Sequence, residues 1–353
     1  MDFWRKPESY RHKLRLRETA AGVIPVRFTD KQLRHFDRNE SLTLRARCPA
    51  GISLAVETDA TWLELELLVE GAARTYLQAT AIVRDRWTDS VSLGRIGSLP
   101  HTVVLKLPLE PHAGFGELRR VEVYLPHASC LTVLDVRLSP GAIAAPAKQR
   151  PERRLLCLGD SITQGLESRN PAGTYPVRLA RLLDAELLNQ GVGGHMFDPD
   201  SFDPELPFEP DLITIAYGSN EWMKDVAAAD IESRARRYME RVCERYAGVP
   251  VLIITPIWHH EEELVKAAGS LADVRGIINR AASGFAQASV IDGAQLVPKL
   301  PHLFADGVHP TEEGFGHYAA ELYRHAASAI RKRPWRAAGG HPPASPGSTN
   351  NRG

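Results

Sequence analysis

Three residues far apart in the chain have the types needed for nucleophilic catalysis. Ser161 closes the run Leu155-Leu156-Cys157-Leu158-Gly159-Asp160-Ser161, an apolar stretch of strand length that stops at small, turn-forming residues. A serine hydroxyl is a weak nucleophile until a base takes its proton. Asp306 and His309 lie three apart in Asp306-Gly307-Val308-His309-Pro310, so the carboxylate can reach its imidazole within one turn of chain. It would hold one ring nitrogen as N–H and leave the other free for the serine proton. His309 then acts as base during attack and as acid during departure. Pro310 restricts His309 to extended backbone angles. The chemistry these residues suit is acyl transfer through an acyl-serine.

Acyl transfer also develops an oxyanion, which needs preorganised donors. Two segments at strand ends can supply them: Asn189-Gln190-Gly191-Val192-Gly193-Gly194-His195 and Ala216-Tyr217-Gly218-Ser219-Asn220-Glu221-Trp222. A glycine amide can approach closely, and an asparagine side chain adds an N–H. Gly191 and Gly193 are alternatives to Gly194 as donor. Asn220 could instead cap a helix starting at Glu221. His195 is a candidate for substrate contact, or else a solvent-exposed loop histidine. Trp222, Met223 and Trp258 follow the third and fourth strands on the Ser161 side, where they could line a pocket or belong to the core. Asp160 suits a structural role in its turn. His259-His260-Glu261-Glu262-Glu263 places adjacent side chains that do not face one point, and reads as a helix start that favours acids. No metal is expected.

The elements that must position these residues change character near residue 145. Before it, Lys13–Arg17 and Leu63–Leu67 alternate apolar and polar residues, and turn signals such as Pro49-Ala50-Gly51 and Glu70-Gly71 intervene. Many short strands at such spacing indicate a β-sandwich of jelly-roll type. The basic residues from Arg5 to Arg17 read as the solvated face of an edge strand, with a patch for an anionic ligand as the alternative. After a Pro- and Ala-rich stretch, strands alternate with helical patterns, which means a parallel sheet covered on both faces. A closing helix spans 311–332, with Thr311 as N-cap. The expected organisation is an all-β sandwich over 1–145, a linker over 146–151, a three-layer α/β/α domain over 152–333 and a disordered tail over 334–353.

Four segments in this order resemble the SGNH, or GDSL-type, hydrolases. Gly159-Asp160-Ser161-Ile162-Thr163 matches the first block of that family, Asn189 to Gly194 its glycine block, Gly218-Ser219-Asn220 its Gly-x-Asn block and Asp306 to His309 its last. The resemblance covers roughly residues 152 to 333. It implies a serine esterase or acyltransferase with Ser161, His309 and Asp306 as triad, Gly194, Asn220 and the Ser161 amide as oxyanion donors, and no cofactor. Many members carry Asp after the block-three Asn; here it is Glu221. The β-rich first half is similar to the accessory domain of two-domain members, which include carbohydrate acetylesterases and an acyltransferase of a tetracycline-like pathway. The expected substrate is a small-molecule or carbohydrate ester, most simply an O-acyl group on a sugar or glycoside. An acyltransferase with an alcohol acceptor is the alternative, and a non-catalytic carbohydrate-binding protein a third reading.

The balanced charge of the 353-residue chain, +0, offers no basic face for nucleic acid. No apolar run approaches membrane length, and the N-terminus lacks a signal-type apolar core. The four cysteines are scattered without metal-type spacing. A cytoplasmic setting follows as the expectation, with oligomeric state open.

Overall fold

A computed structural model describes residues 3–84, 86–93, 96–109, 117–148 and 151–331. The tail expected over 334–353 lies outside the described residues.

Two antiparallel sheets enclose the first core. One has the order β1 (Tyr10–Arg11), β4 (Ser53–Thr58), β9 (Arg119–Tyr124), β6 (Leu77–Val83), β7 (Arg86–Leu93), with β11 (Ala144–Pro146) added beside β4. The other runs β2 (Arg15–Glu18), β3 (Val23–Val26), β10 (Ser129–Leu138), β5 (Trp62–Ala72), β8 (His101–Pro108). Alternation along β5 explains the layering. Leu63, Leu65, Leu67 and Val69 are buried against Leu54, Val56 and Val121 of the first sheet. Glu64 and Glu66 point outward to Lys106 and Arg137 on the flanking strands. Glu70-Gly71 is not a turn, because β5 runs through both residues.

β2 is an edge strand, but Arg11 departs from the solvated-face reading. It is buried and donates to the Ala147 carbonyl at 2.8 Å. Two helices also interrupt the β region, α1 (Asp30–Phe36) and α2 (Glu40–Arg47). Thr29 caps α1 in a reciprocal box with Gln32, and Asn39 caps α2.

The second half forms a parallel sheet in the order β13 (Ala185–Gly191), β12 (Arg153–Gly159), β14 (Leu212–Ala216), β15 (Val251–Ile254), β16 (Ala288–Ile291). Leu155 and Cys157 of β12 face α4 (Tyr175–Leu183) and α8 (Glu312–Arg331). Leu156 and Leu158 face α6 (Ala228–Arg245) and α7 (Leu271–Ala282). These two apolar faces make the three-layer α/β/α arrangement. The chain leaves β12 for one neighbour and returns to the other, so the order reverses at β12, where such sheets open a crevice beyond their strand ends.

The two halves meet along a polar seam. Buried Arg27 donates to the carbonyls of Asn189 at 2.6 Å and Gly191 at 3.0 Å, and to those of Cys48 and Arg45. Burial pulls its pKa down to about 10, so it stays cationic at neutral pH. Gln32 exchanges amide hydrogen bonds with Gln190, Thr29 donates to Asp203, and His12 accepts from the Leu187 amide. Arg27→Met keeps volume but strips the donors from four carbonyls, so the variant should lose roughly 3 kcal/mol of stability. Denaturant unfolding of the full chain measures this; a loss below about 1 kcal/mol would show that water replaces the guanidinium.

Candidate active site

Register brings three of the four chemical segments to one end of the sheet. Gly159 pairs with Gly191 on one side and with Ala216 on the other. The chain therefore leaves three neighbouring strands at the same level, into Ser161, Gly193-Gly194 and Gly218-Asn220. Gly159 has no room for a side chain, since a Cβ there would lie 2.0 Å from Thr163 Oγ1 and 2.8 Å from the Ala216 oxygen. Asp160 caps the short helix α3 (Ser161–Gln164), accepting from the Ile162 amide at 2.9 Å. Burial pushes the Asp160 carboxyl up to about 6. This is the structural role expected of it.

The serine and the distant Asp-x-x-His loop meet. Ser161 Oγ lies 2.8 Å from His309 Nε2, and His309 Nδ1 lies 2.8 Å from Asp306 Oδ2. The carboxylate at Nδ1 fixes the ring proton there, leaving Nε2 as acceptor. Asp306 Oδ1 also accepts from the amides of Val308 and His309 at 3.0 and 2.8 Å. Partial burial alone would raise the Asp306 carboxyl, but these hydrogen bonds and the imidazole hold it well below the usual carboxylate range. The loop is anchored by Phe304, which packs on Trp258 at 4.7 Å between ring centroids, and by the His260 amide, which donates to the Gly307 oxygen. Glu167 lies within 4.8 Å of Asp306 and His309. Its carboxylate is paired with Arg74, and the other two side chains are engaged with each other.

The glycine block sorts itself by hydrogen bonding. The Gly191 amide is taken by Asn189 Oδ1 and the Gly193 amide by Gln164 Oε1, both at 2.8 Å. The amides of Gly194 and Ser161 have no acceptor among the described residues. Asn220 occupies the second turn position of α5 (Ser219–Met223), whose N-cap is Gly218. Its Nδ2 donates to the His195 oxygen at 2.9 Å and reaches Asp160 Oδ2 at 3.4 Å. Three N–H groups thus converge on one end of the sheet.

The candidates for substrate contact fare differently. Trp222 is fully buried, donates to the Gly269 oxygen and stacks edge-on against His259; it belongs to the core because α5 turns that face inward. His195 is not an exposed loop residue, although it borders the cavity lined by Arg45, Gly194 and Lys224. It is buried between Phe36 and Tyr217, and burial pulls its pKa down to about 4. Trp258 remains half-buried beside the triad loop. The His259–Glu263 stretch is not a helix start. It forms a turn ahead of α7, with Glu262 bound to Arg275 and Lys299.

Glu221 is buried and ties two of these segments together. Its carboxylate accepts from the Phe197 amide at 2.5 Å and the Gly218 amide at 3.0 Å. Burial pushes this carboxyl from 4.5 up to about 7, and the two amide bonds offset only part of that. The folded protein therefore holds a proton in a range where the unfolded chain has lost it. Stability from this group is complete below about 4.5 and falls as pH rises through about 7. Relative to Glu221→Gln, the wild-type unfolding free energy should decline across that window. Parallel curves for the two proteins would contradict a neutral buried carboxyl.

Residues 157–316 match the GDSL-like lipase/acylhydrolase family. This segment is a GDSL-like lipase/acylhydrolase domain. No curated protein matches the chain. Among solved structures, a salicylyl-acyltransferase from a tetracycline biosynthetic pathway is 19% identical with a TM-score of 0.74, covering 90% of this chain and 94% of its own. A protein described as a GDSL-like lipase from Bacteroides ovatus is 17% identical with a TM-score of 0.73, covering 93% and 97%. A family two carbohydrate esterase from Clostridium thermocellum, in complex with cellohexaose, is 15% identical with a TM-score of 0.59, covering 79% and 92%. At these identities the likeness is one of fold: a β-rich region before the GDSL-like domain. The family match thus covers the α/β/α half of the chain, as a GDSL-like lipase/acylhydrolase domain. No described helix is long and apolar enough to cross a membrane.

The residues missing from the sequence reading are Arg27, Arg45, Arg74 and Gln164. All but Gln164 come from the first half. The Thr29-x-x-Gln32 capping box signals α1, and Asn39, which caps α2, is the local signal for the helix that carries Arg45.

Proposed function

We propose that the protein cleaves a carboxylic ester by a double displacement at Ser161, the observation that carries this being the unbroken Ser161–His309–Asp306 hydrogen-bond chain. Ser161 Oγ attacks the ester carbonyl as its proton passes to His309 Nε2. The oxyanion is held by the amides of Gly194 and Ser161 and by the Asn220 Nδ2 N–H that otherwise reaches Asp160 at 3.4 Å. His309 returns the proton to the leaving alcohol, and water then repeats the cycle on the acyl-serine. The proposed alcohol is a carbohydrate or glycoside, in keeping with the cellohexaose complex of the esterase relative. The salicylyl-acyltransferase relative supports the second reading, in which an alcohol acceptor replaces water.

We read the chain as a sandwich domain over 1–145 and a catalytic domain over 152–333, with the seam placing Arg74 and α2 of the former beside the site. Incubation with a panel of activated esters should add one acyl mass to Ser161, detectable on the intact protein. Faster release on adding sugar alcohols than in water alone would assign transfer rather than hydrolysis. Turnover with no acyl-serine at any time would sink the covalent mechanism.

A further inference from the structure

Two cations grip consecutive carbonyls of the oxyanion segment. Arg45 Nη1 donates to the Gly193 oxygen at 3.2 Å and also to Ser41 Oγ. Lys224 Nζ donates to the Gly194 oxygen at 2.9 Å. Neither has a carboxylate partner among the described residues. Arg45 is only partly exposed. Burial and the nearby Arg74 both lower its pKa, so the environment disfavours the charge it carries. A half-buried guanidinium with hydrogen bonds only to neutral oxygens is costly unless an anion reaches it. Its Nε and Nη2 have no acceptor among the described residues, and together they form the fork that suits a carboxylate.

Arg45, Lys224 and Gly194 share the wall of a cavity of about 850 Å³. Of the four acids that line this cavity, two are paired and two stand on α6. Asp198 meets His35 at 2.7 Å and Asp200 meets Arg241 at 2.9 Å. Glu240 and Glu244 project from α6, which also carries Arg237 and Arg241. The glycines keep the wall open, since a Cβ on Gly193 would lie 2.9 Å from Arg45 Cδ and one on Gly194 3.3 Å from Nη1.

We propose that Arg45, assisted by Lys224, forms a subsite for a carboxylate carried by the acyl part of the ester, so that the preferred substrates are half-esters of dicarboxylic acids. The acyl side follows from the chemistry, and the proposal rests on the ester-cleaving reading above. The leaving oxygen must take its proton from His309 Nε2, which places the alcohol by the 306–309 loop. The acyl carbonyl lies toward the Gly194 amide, and its substituent extends past the two cations.

The test compares 4-methylumbelliferyl hexanoate with mono(4-methylumbelliferyl) adipate, equal in chain length and differing in the terminal carboxylate. The full-length protein should favour the adipate in kcat/KM by about tenfold or more, mostly through KM. The ratio should fall to about one in Arg45→Gln, fall partly in Lys224→Gln and survive partly in Arg45→Lys. Using the ratio removes any general damage from loosening Gly193. Phenyl and 3-carboxyphenyl hexanoate place the carboxylate on the alcohol instead. A preference confined to that pair would overturn the acyl assignment. Equal handling of adipate and hexanoate, or a preference unchanged by Arg45→Gln, would overturn the subsite. Calorimetry of Ser161→Ala with monomethyl adipate and methyl hexanoate reads binding without turnover. Tighter adipate binding that Arg45→Gln removes would sustain the subsite even if no ester were cleaved, in which case only the catalytic reading would fall.

Discussion

Ser161→Ala should abolish ester cleavage, with kcat falling by on the order of 10⁵-fold or more, the scale seen when a triad nucleophile is removed. Stability should change little. The Ser161 hydroxyl is bonded to His309, while the turn that holds it is secured by Asp160 through the Ile162 amide. Losing the hydroxyl leaves the His309 ring fixed by Asp306. Labelling by a fluorophosphonate should vanish with the activity. Stoichiometric labelling of the alanine variant, located at another residue by peptide mapping, would place the nucleophile elsewhere.

Asn220→Ala should lower kcat by about 10²- to 10³-fold with KM little changed, the usual cost of one oxyanion donor. The geometry adds a second consequence. Asn220 Nδ2 also supports the His195 carbonyl, one residue past Gly194, so truncation loosens a second donor. The loss should therefore sit toward the upper end of that range. Asn220→Asp keeps the shape but replaces the donor with an acceptor, and should be no better than alanine. A large rise in KM at constant kcat would instead make Asn220 a residue that binds ground-state substrate.

The site was legible because its parts lie at strand ends with local signatures. Gly159-Asp160-Ser161 ends an apolar run, and Asp306-x-x-His309 precedes a capped helix. The choice among Gly191, Gly193 and Gly194 was not legible, since it depends on Asn189 and Gln164 occupying two of the three amides. Trp222 and His195 misled for a related reason. Position after a strand tells which end of the sheet a residue occupies, while the side chain's direction depends on the next turn and on Phe36 from α1. Strand alternation exposed the sandwich, but the helices that interrupt it have too few turns for a periodic signal. Arg27 and Arg45 were not legible because nothing local marks a partner some 150 residues away in sequence.

The Arg27 contacts bear on how the chain comes off the ribosome. Arg27 is made well before Asn189 and Gly191, whose carbonyls it binds. At about 5–20 residues per second, that gap lasts roughly 10–30 s. During it the nascent first half can close its sandwich core, yet Arg27, Gln32 and Thr29 stay without their long-range partners. Being polar, these three groups are satisfied by water until their partners are made. The seam thus works as a latch that closes late: the oxyanion segment takes its final shape only when a guanidinium already waiting in the first half receives it.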